Sequence, residues 1–261
     1  MSFIEAVILG IIQGATEFLP VSSSGHLIVI PKIFGLAQGG LQFDATMHLA
    51  TGFAVLSYFL NDWKSLVVNS LNGKGGARRY LAYIAIGSIP AGLTGVVWGD
   101  YIEWKFGNPI YVATALIVVA ILMIFLEKFK RVGGRDKENF KDSIVIGVSQ
   151  IASFIPGVSR SGITIVAGMT MGLTRETAAK FSFMLATPIV LLAGFYSFFK
   201  ALPYLDSGMI LNYLVGFITA FFVGLFTIEF LLNYLKKDSL IPFAIYRIAL
   251  ALIVIGITLI S

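Results

Sequence analysis

Leu19-Pro20-Val21-Ser22-Ser23-Ser24-Gly25 breaks an apolar stretch that runs over residues 3–36. Ile155-Pro156-Gly157-Val158-Ser159-Arg160-Ser161-Gly162 breaks a second, over 141–173. Each half beside a break is roughly 12–15 residues long, short of the ~20 that a helix needs to cross a bilayer. Short apolar halves around a polar turn predict a re-entrant helix–loop–helix. Such backbone survives at membrane depth only where protein buries it or where it lines a wet cavity. The two breaks also match each other. At a constant offset of 137, Gly10, Gln13, Ala15, Val21, Ser22, Ser24 and Gly25 repeat as Gly147, Gln150, Ala152, Val158, Ser159, Ser161 and Gly162. Gly35-Leu36 repeat as Gly172-Leu173, and Leu49-Ala50-Thr51 reappear as Leu185-Ala186-Thr187. The chain therefore reads as a duplication, with residues 1–136 as the first repeat and 137–261 as the second.

The rest of the sequence fits a membrane frame. Of 261 residues, 57% are hydrophobic and 13% charged, with mean hydropathy +0.88. Soluble domains carry about 25% charged residues, so a soluble enzyme, a disordered chain and a nucleic-acid binder all fit poorly. Runs of about 20 apolar residues predict spans over 41–60, 80–99, 109–128, 181–200, 209–235 and 241–260. The expected fold is an all-α integral membrane protein with six transmembrane helices plus two re-entrant helix–loop–helix pairs. Three spans follow each re-entrant pair. Three is odd, so the second half enters from the opposite side, giving an inverted-topology repeat whose broken loops meet near the midplane.

Loop charge agrees with this topology. With the N-terminus outside, the inside loops hold Lys64, Lys74, Arg78, Arg79, Lys128, Lys130, Arg131, Arg135, Lys137, Lys141, Arg175, Lys180, Lys236 and Lys237, which is 14 of the 19 basic residues. Only Lys32, Lys105 and Lys200 fall outside. Basic residues concentrate in cytoplasmic loops, so both termini are expected on the extracytoplasmic face. The net charge of +5 is explained by the same bias. The first apolar stretch carries Glu5 and runs into Gln13 and Glu17, unlike a cleaved signal. Cysteine is absent, which excludes disulfides and thiol chemistry.

The broken loops carry the chemistry. Glu17 lies in an apolar segment one turn after Gln13, so the two share a helix face, and a carboxylate there needs a partner or a function. Ser22, Ser23, Ser24 and Gly25 open a helix, where hydroxyls cap and free amides attract anions. His26 follows. The second loop supplies Ser159, Arg160, Ser161, Gly162 and, one turn on, Thr164. Arg160 offers a planar fork of donors suited to phosphate oxygens. A structural Arg160–Glu17 pair is the competing reading. Together these residues suit phosphoryl transfer, with Ser23 or a neighbouring serine attacking. His26 would move protons, while Arg160 and the loop amides hold a diphosphate. Glu17, with Gln13, would hold a divalent cation. Asp44 and His48, one turn apart, either line the same cavity or pair with each other. Glu229 and Arg247 are expected to form a structural ion pair.

At these residues the chain resembles a known family. Gln13-Gly14-Ala15-Thr16-Glu17-Phe18-Leu19-Pro20-Val21-Ser22-Ser23-Ser24-Gly25-His26-Leu27 is similar to the first motif of the undecaprenyl-diphosphatase family of the bacitracin-resistance type. Pro156-Gly157-Val158-Ser159-Arg160-Ser161-Gly162 is similar to its second motif, and Phe43–Thr51 resembles a further segment. The resemblance implies a multi-pass plasma-membrane phosphatase with an extracytoplasmic site. It would hydrolyse the polyprenyl lipid undecaprenyl diphosphate to the monophosphate, recycling the carrier for cell-envelope glycan synthesis. Bacitracin would compete for that substrate. The resemblance assigns catalysis to Glu17, Ser23, His26 and Arg160. It assigns phosphate binding to Ser22, Ser24, Gly25, Ser159, Ser161, Gly162 and Thr164. It gives a divalent cation (Mg2+ or Ca2+) to Gln13 and Glu17. Gln13 stands where the family also uses Glu, which leaves one carboxylate in place of two. The competing function is a transporter or flippase of lipid phosphate, which needs Arg160 and the amides but no nucleophile. Homodimerisation is left open, and no nucleic acid is expected.

Overall fold

The computed structural model describes residues 1–36, 39–129, 134–204 and 206–260. Lys130 and Arg131, counted above among the inside charges, lie outside them. The described residues form eleven α-helices with short 3-10 turns and no strand. In order these are α1 (Phe3–Phe18), α2 (Ser23–Phe34), α3 (Gly40–Tyr58), α4 (Leu60–Leu71), α5 (Gly75–Phe106), α6 (Pro109–Phe129), α7 (Phe140–Ser149), α8 (Arg160–Thr170), α9 (Arg175–Ala201), α10 (Ile210–Leu235) and α11 (Ile241–Ile260). Five of them, α5, α6, α9, α10 and α11, are long and apolar enough to cross a membrane. The first expected span, now α3, falls short of that standard. It carries Gln42, Asp44, Thr46, His48 and Thr51, and it packs against α9, α10 and α1. A helix covered by protein can keep a polar face that lipid would reject. The segment expected as an inside loop contains α4, which buries none of its residues.

The helices are interrupted at both breaks. Leu19, ahead of Pro20, turns extended (φ −62°, ψ 143°) and ends α1, because proline disfavours helix in the residue before it. Ser22 and Ser159 then take φ 77° and 68°, a left-handed region that costs a non-glycine residue free energy. Each caps the helix it precedes. Gly25 N donates to Ser22 Oγ (3.4 Å) and Gly162 N to Ser159 Oγ (3.2 Å). The two loops thus share one conformation at the positions the repeat pairs.

Helix packing parallels the sequence pairing. α1 packs on α10 and α7 on α5, α3 on α10 and α9 on α5. α3 also packs on α9, and α6 on α11. The first two contacts need glycine in the same way. A Cβ on Gly10 would meet the Gly216 carbonyl, and one on Gly147 the Gly87 carbonyl. The parallel stops there: among the described residues α8 packs on α9, with no comparable α2–α3 packing. Forked bonds also tie the chain together. Arg135 donates to both oxygens of buried Asp142 (2.9 and 2.8 Å), and Arg175 likewise grips Glu127.

Candidate active site

Glu17 ends α1 facing the N-terminus of α8. Its Oε1 accepts from Arg160 Nη2 at 2.6 Å, joining α1 to α8. Its Oε2 accepts from Ser23 Oγ (2.9 Å) and from Gln13 Nε2 (3.2 Å). Phe18 anchors this end of α1 in the core, edge-on to Phe183 of α9. Gln13, Glu17, Ser23 and Arg160 are therefore brought together as expected, and the alternative of an Arg160–Glu17 pair also holds.

The other hydroxyls build the frame. Ser24 Oγ accepts from Gly157 N (3.1 Å), and Ser161 Oγ donates to the Leu19 carbonyl (3.1 Å). These reciprocal bonds lock one loop to the other. Ser22 bonds Ser24 (3.1 Å), and Ser159 bonds Ser161 (3.2 Å). Ser23 is the loop serine that bonds Glu17. The first-turn amides of α2 and α8 lack intrahelical acceptors, apart from those the caps take.

Two expected participants are engaged elsewhere. His26 is buried, with Nδ1 2.7 Å from the Ser22 carbonyl and Nε2 2.6 Å from Tyr246 Oη. A carbonyl only accepts, so Nδ1 carries the proton. Neither nitrogen bonds Glu17 or Ser23. Thr164 was expected to face a ligand together with Arg160. Its hydroxyl donates instead to the Arg160 carbonyl (2.7 Å) and bonds Ser182 of α9 (2.6 Å), fully buried.

Two residues acquire roles that sequence reasoning left open or placed elsewhere. Among the described residues no hydrogen bond or ion pair joins His48 to Asp44. His48 Nδ1 lies 3.2 Å from Gln13 Nε2 and 3.9 Å from Glu17 Oε2. The expected Glu229–Arg247 pair is not formed. Arg247, fully buried, donates to five main-chain carbonyls: Pro20 (3.2 Å), Gly157 (2.8 Å), Val158 (3.1 Å), Ala115 (3.4 Å) and Leu116 (3.2 Å). It binds both loops to α6. The visible signal was an arginine inside an apolar run, but nothing in the sequence says that its acceptors are backbone.

The expected cation pair is not set up to share an ion. Gln13 turns its nitrogen, a donor, to Glu17, since an amide oxygen there would face a carboxylate. Its Oε1 is buried without a hydrogen-bond partner. Among the described residues no group of three His, Cys, Asp or Glu is arranged to hold a metal.

A family model described as "Bacitracin resistance protein BacA" matches residues 6–253. The chain belongs to the BacA family. Among similar proteins, the undecaprenyl-diphosphatase of Elusimicrobium minutum (strain Pei191) is 40% identical over 257 residues, covering 98% of each chain. That of Thermodesulfovibrio yellowstonii is 40% identical over 252 residues, 96% of this chain and 95% of its own. That of Moorella thermoacetica is 38% identical over 262 residues, 98% of each. In this BacA-family chain, the two broken loops carry Ser23 and Arg160, and Glu17 stands on α1 just ahead of the first.

Proposed function

We propose that this chain hydrolyses undecaprenyl diphosphate to undecaprenyl phosphate and inorganic phosphate. One observation carries the reading: a serine hydroxyl donates to a carboxylate oxygen whose twin oxygen holds an arginine. Glu17 holds Arg160 through Oε1 and Ser23 through Oε2. An arriving diphosphate draws the Arg160 fork onto its oxygens, joined by the first-turn amides of α2 and α8. Ser23 Oγ attacks the terminal phosphorus while Glu17 Oε2 takes its proton. The Oγ–P bond forms, the bridging O–P bond breaks, and undecaprenyl phosphate leaves. Glu17 gives that proton to the departing undecaprenyl phosphate, then takes one from the water that attacks the phosphoserine and returns it to Ser23 Oγ as phosphate leaves. Catalysis of this kind is mostly positioning and charge stabilisation. If the reaction uses a divalent cation, Glu17 is the residue that would hold it, and the ion would supply charge neutralisation for the diphosphate.

The test is phosphate release from undecaprenyl diphosphate in detergent by wild type, Ser23→Ala, Glu17→Ala and Arg160→Ala. Loss in all three variants supports the reading. Activity in Ser23→Ala alone would move attack to water. Inactive, well-folded wild type would sink it.

The frame belongs to the same proposal. Residues 1–136 and 137–261 are read as inverted repeats in the plasma membrane, with α3 as the sixth span. The site and both termini then face outside, by the loop charges. Hydrolysis of the lipid that bacitracin sequesters would account for resistance. Lipid-phosphate flipping is the second reading, favoured by the paired loops and repeated packing. It requires transfer of a labelled lipid phosphate across vesicles by the Ser23→Ala protein. Homodimers would appear by cross-linking in native membranes.

A further inference from the structure

We propose that His48 is a positioning residue of the site: it fixes the Gln13 carboxamide, and through it the Glu17 carboxylate that serves Ser23. This rests on the phosphatase reading. Gln13 is buried, and its Oε1 has no partner, so nothing on the oxygen side holds the amide plane. Its orientation depends on the two acceptors of Nε2, which are Glu17 Oε2 and His48 Nδ1, each at 3.2 Å. One amide hydrogen serves each. His48 reaches in from α3, an element outside both broken loops. It faces Gln13 and Glu17 on α1, with Arg160 beyond Glu17 and Asp44 on its own helix.

The need for this brace appears when substrate binds. Arg160 then leaves Glu17 Oε1 for phosphate, and Glu17 keeps only Ser23 and Gln13. A Gln13 amide held at one acceptor would be free to swing, and the carboxylate with it. His26 cannot substitute, because both its ring nitrogens are engaged elsewhere.

The geometry also fixes proton positions. Nδ1 of His48 accepts from Gln13, so neutral His48 carries its proton on Nε2, whereas His26 carries its own on Nδ1. The chain has two histidines, so a ring 15N spectrum of the neutral protein in detergent should contain one ring of each tautomer. Gln13→Leu should release His48 to a mixture and leave His26 unchanged. A wild-type His48 with its proton on Nδ1 would overturn the proposal, whatever the activity.

Kinetics give the second arm. His48→Ala should lower kcat about ten-fold, the scale of one hydrogen bond's worth of transition-state alignment, with KM little changed. His48→Asn, whose Oδ1 can stand where Nδ1 stood, should recover most of that loss. Adding Gln13→Leu to His48→Ala should cost less than the product of the single effects, because both act through one contact. Multiplying losses, an Asn variant as poor as Ala, or an unchanged His48→Ala would each overturn it. Thermal unfolding of each variant separates misfolding from misalignment. An inactive wild type with the expected tautomers would refute the phosphatase reading and leave the Gln13 brace standing.

Discussion

Arg247→Met should loosen the union of the two loops, and its cost can be worked from the contacts. Arg247 donates to five carbonyls in three segments. Those of Ala115 and Leu116 lie within α6, where helical bonding continues without the arginine. Those of Pro20, Gly157 and Val158 lie in the breaks, where the chain has left the helical ladder. Orphaning a buried carbonyl costs about 1–3 kcal/mol, so these three amount to roughly 3–9 kcal/mol. Removing the guanidinium also returns the cost of burying an unpaired cation, itself several kcal/mol in real proteins. The net expectation is a loss of about 2–4 kcal/mol. Lysine keeps the charge but not the fork that spans three segments, so Arg247→Lys should fall between. Function should suffer beyond stability, since the loops carry Ser23 and Arg160 and small misplacements are costly. The assay is denaturant unfolding in detergent, followed by tryptophan fluorescence, beside phosphate release. Arg247→Met unfolding within about 0.5 kcal/mol of wild type, with activity intact, would refute the clasp.

Other outcomes follow from single contacts. Ser23→Ala should reduce phosphate release to background while Ser22→Ala lowers stability by about 1 kcal/mol through the lost cap, both read on the same preparations. Gln13→Glu should raise affinity for Mn2+, measured by its EPR signal in substrate-free protein, because a second carboxylate then faces Glu17. Gly147→Leu drives a side chain into the Gly87 carbonyl and should cost about 1–3 kcal/mol or more in unfolding experiments, with α5 and α7 forced apart. Burial, helped by nearby Asp142, pushes the Glu138 carboxyl above its ordinary range. A raised carboxyl destabilises the fold once the pH exceeds the unfolded value. Glu138→Gln should therefore gain up to about 0.5 kcal/mol at pH 7 and nothing in acid, by thermal unfolding.

How much of this was legible depended on whether a residue's partner lay nearby in sequence or was implied by the repeat. Pro20 and Pro156 marked the breaks, and the shared offset anticipated that Ser22 and Ser159 would behave alike, which they do down to their positive φ. Glu17, Gln13 and Ser23 lie within eleven residues, so their meeting followed from helix spacing and one turn. Arg160 was found because an arginine in an apolar break has few reasons to exist. His48 was left open, Arg247 was paired wrongly and Tyr246 was not singled out, all for one physical cause. Their partners, Gln13, His26 and the loop carbonyls, lie 35 to 227 residues away and were identified by neither pattern nor charge. Backbone acceptors have no sequence signature at all, so charge matching paired Arg247 with Glu229, the nearest visible anion in an adjoining span. The failure of α3 as a purely apolar span has the same root. Its polar residues are tolerated because α1, α9 and α10 cover it, and that cover is what lets an imidazole from α3 reach the carboxylate on α1. A helix too polar for lipid, inside a chain otherwise made for lipid, is therefore a place to look for site residues that local motifs omit.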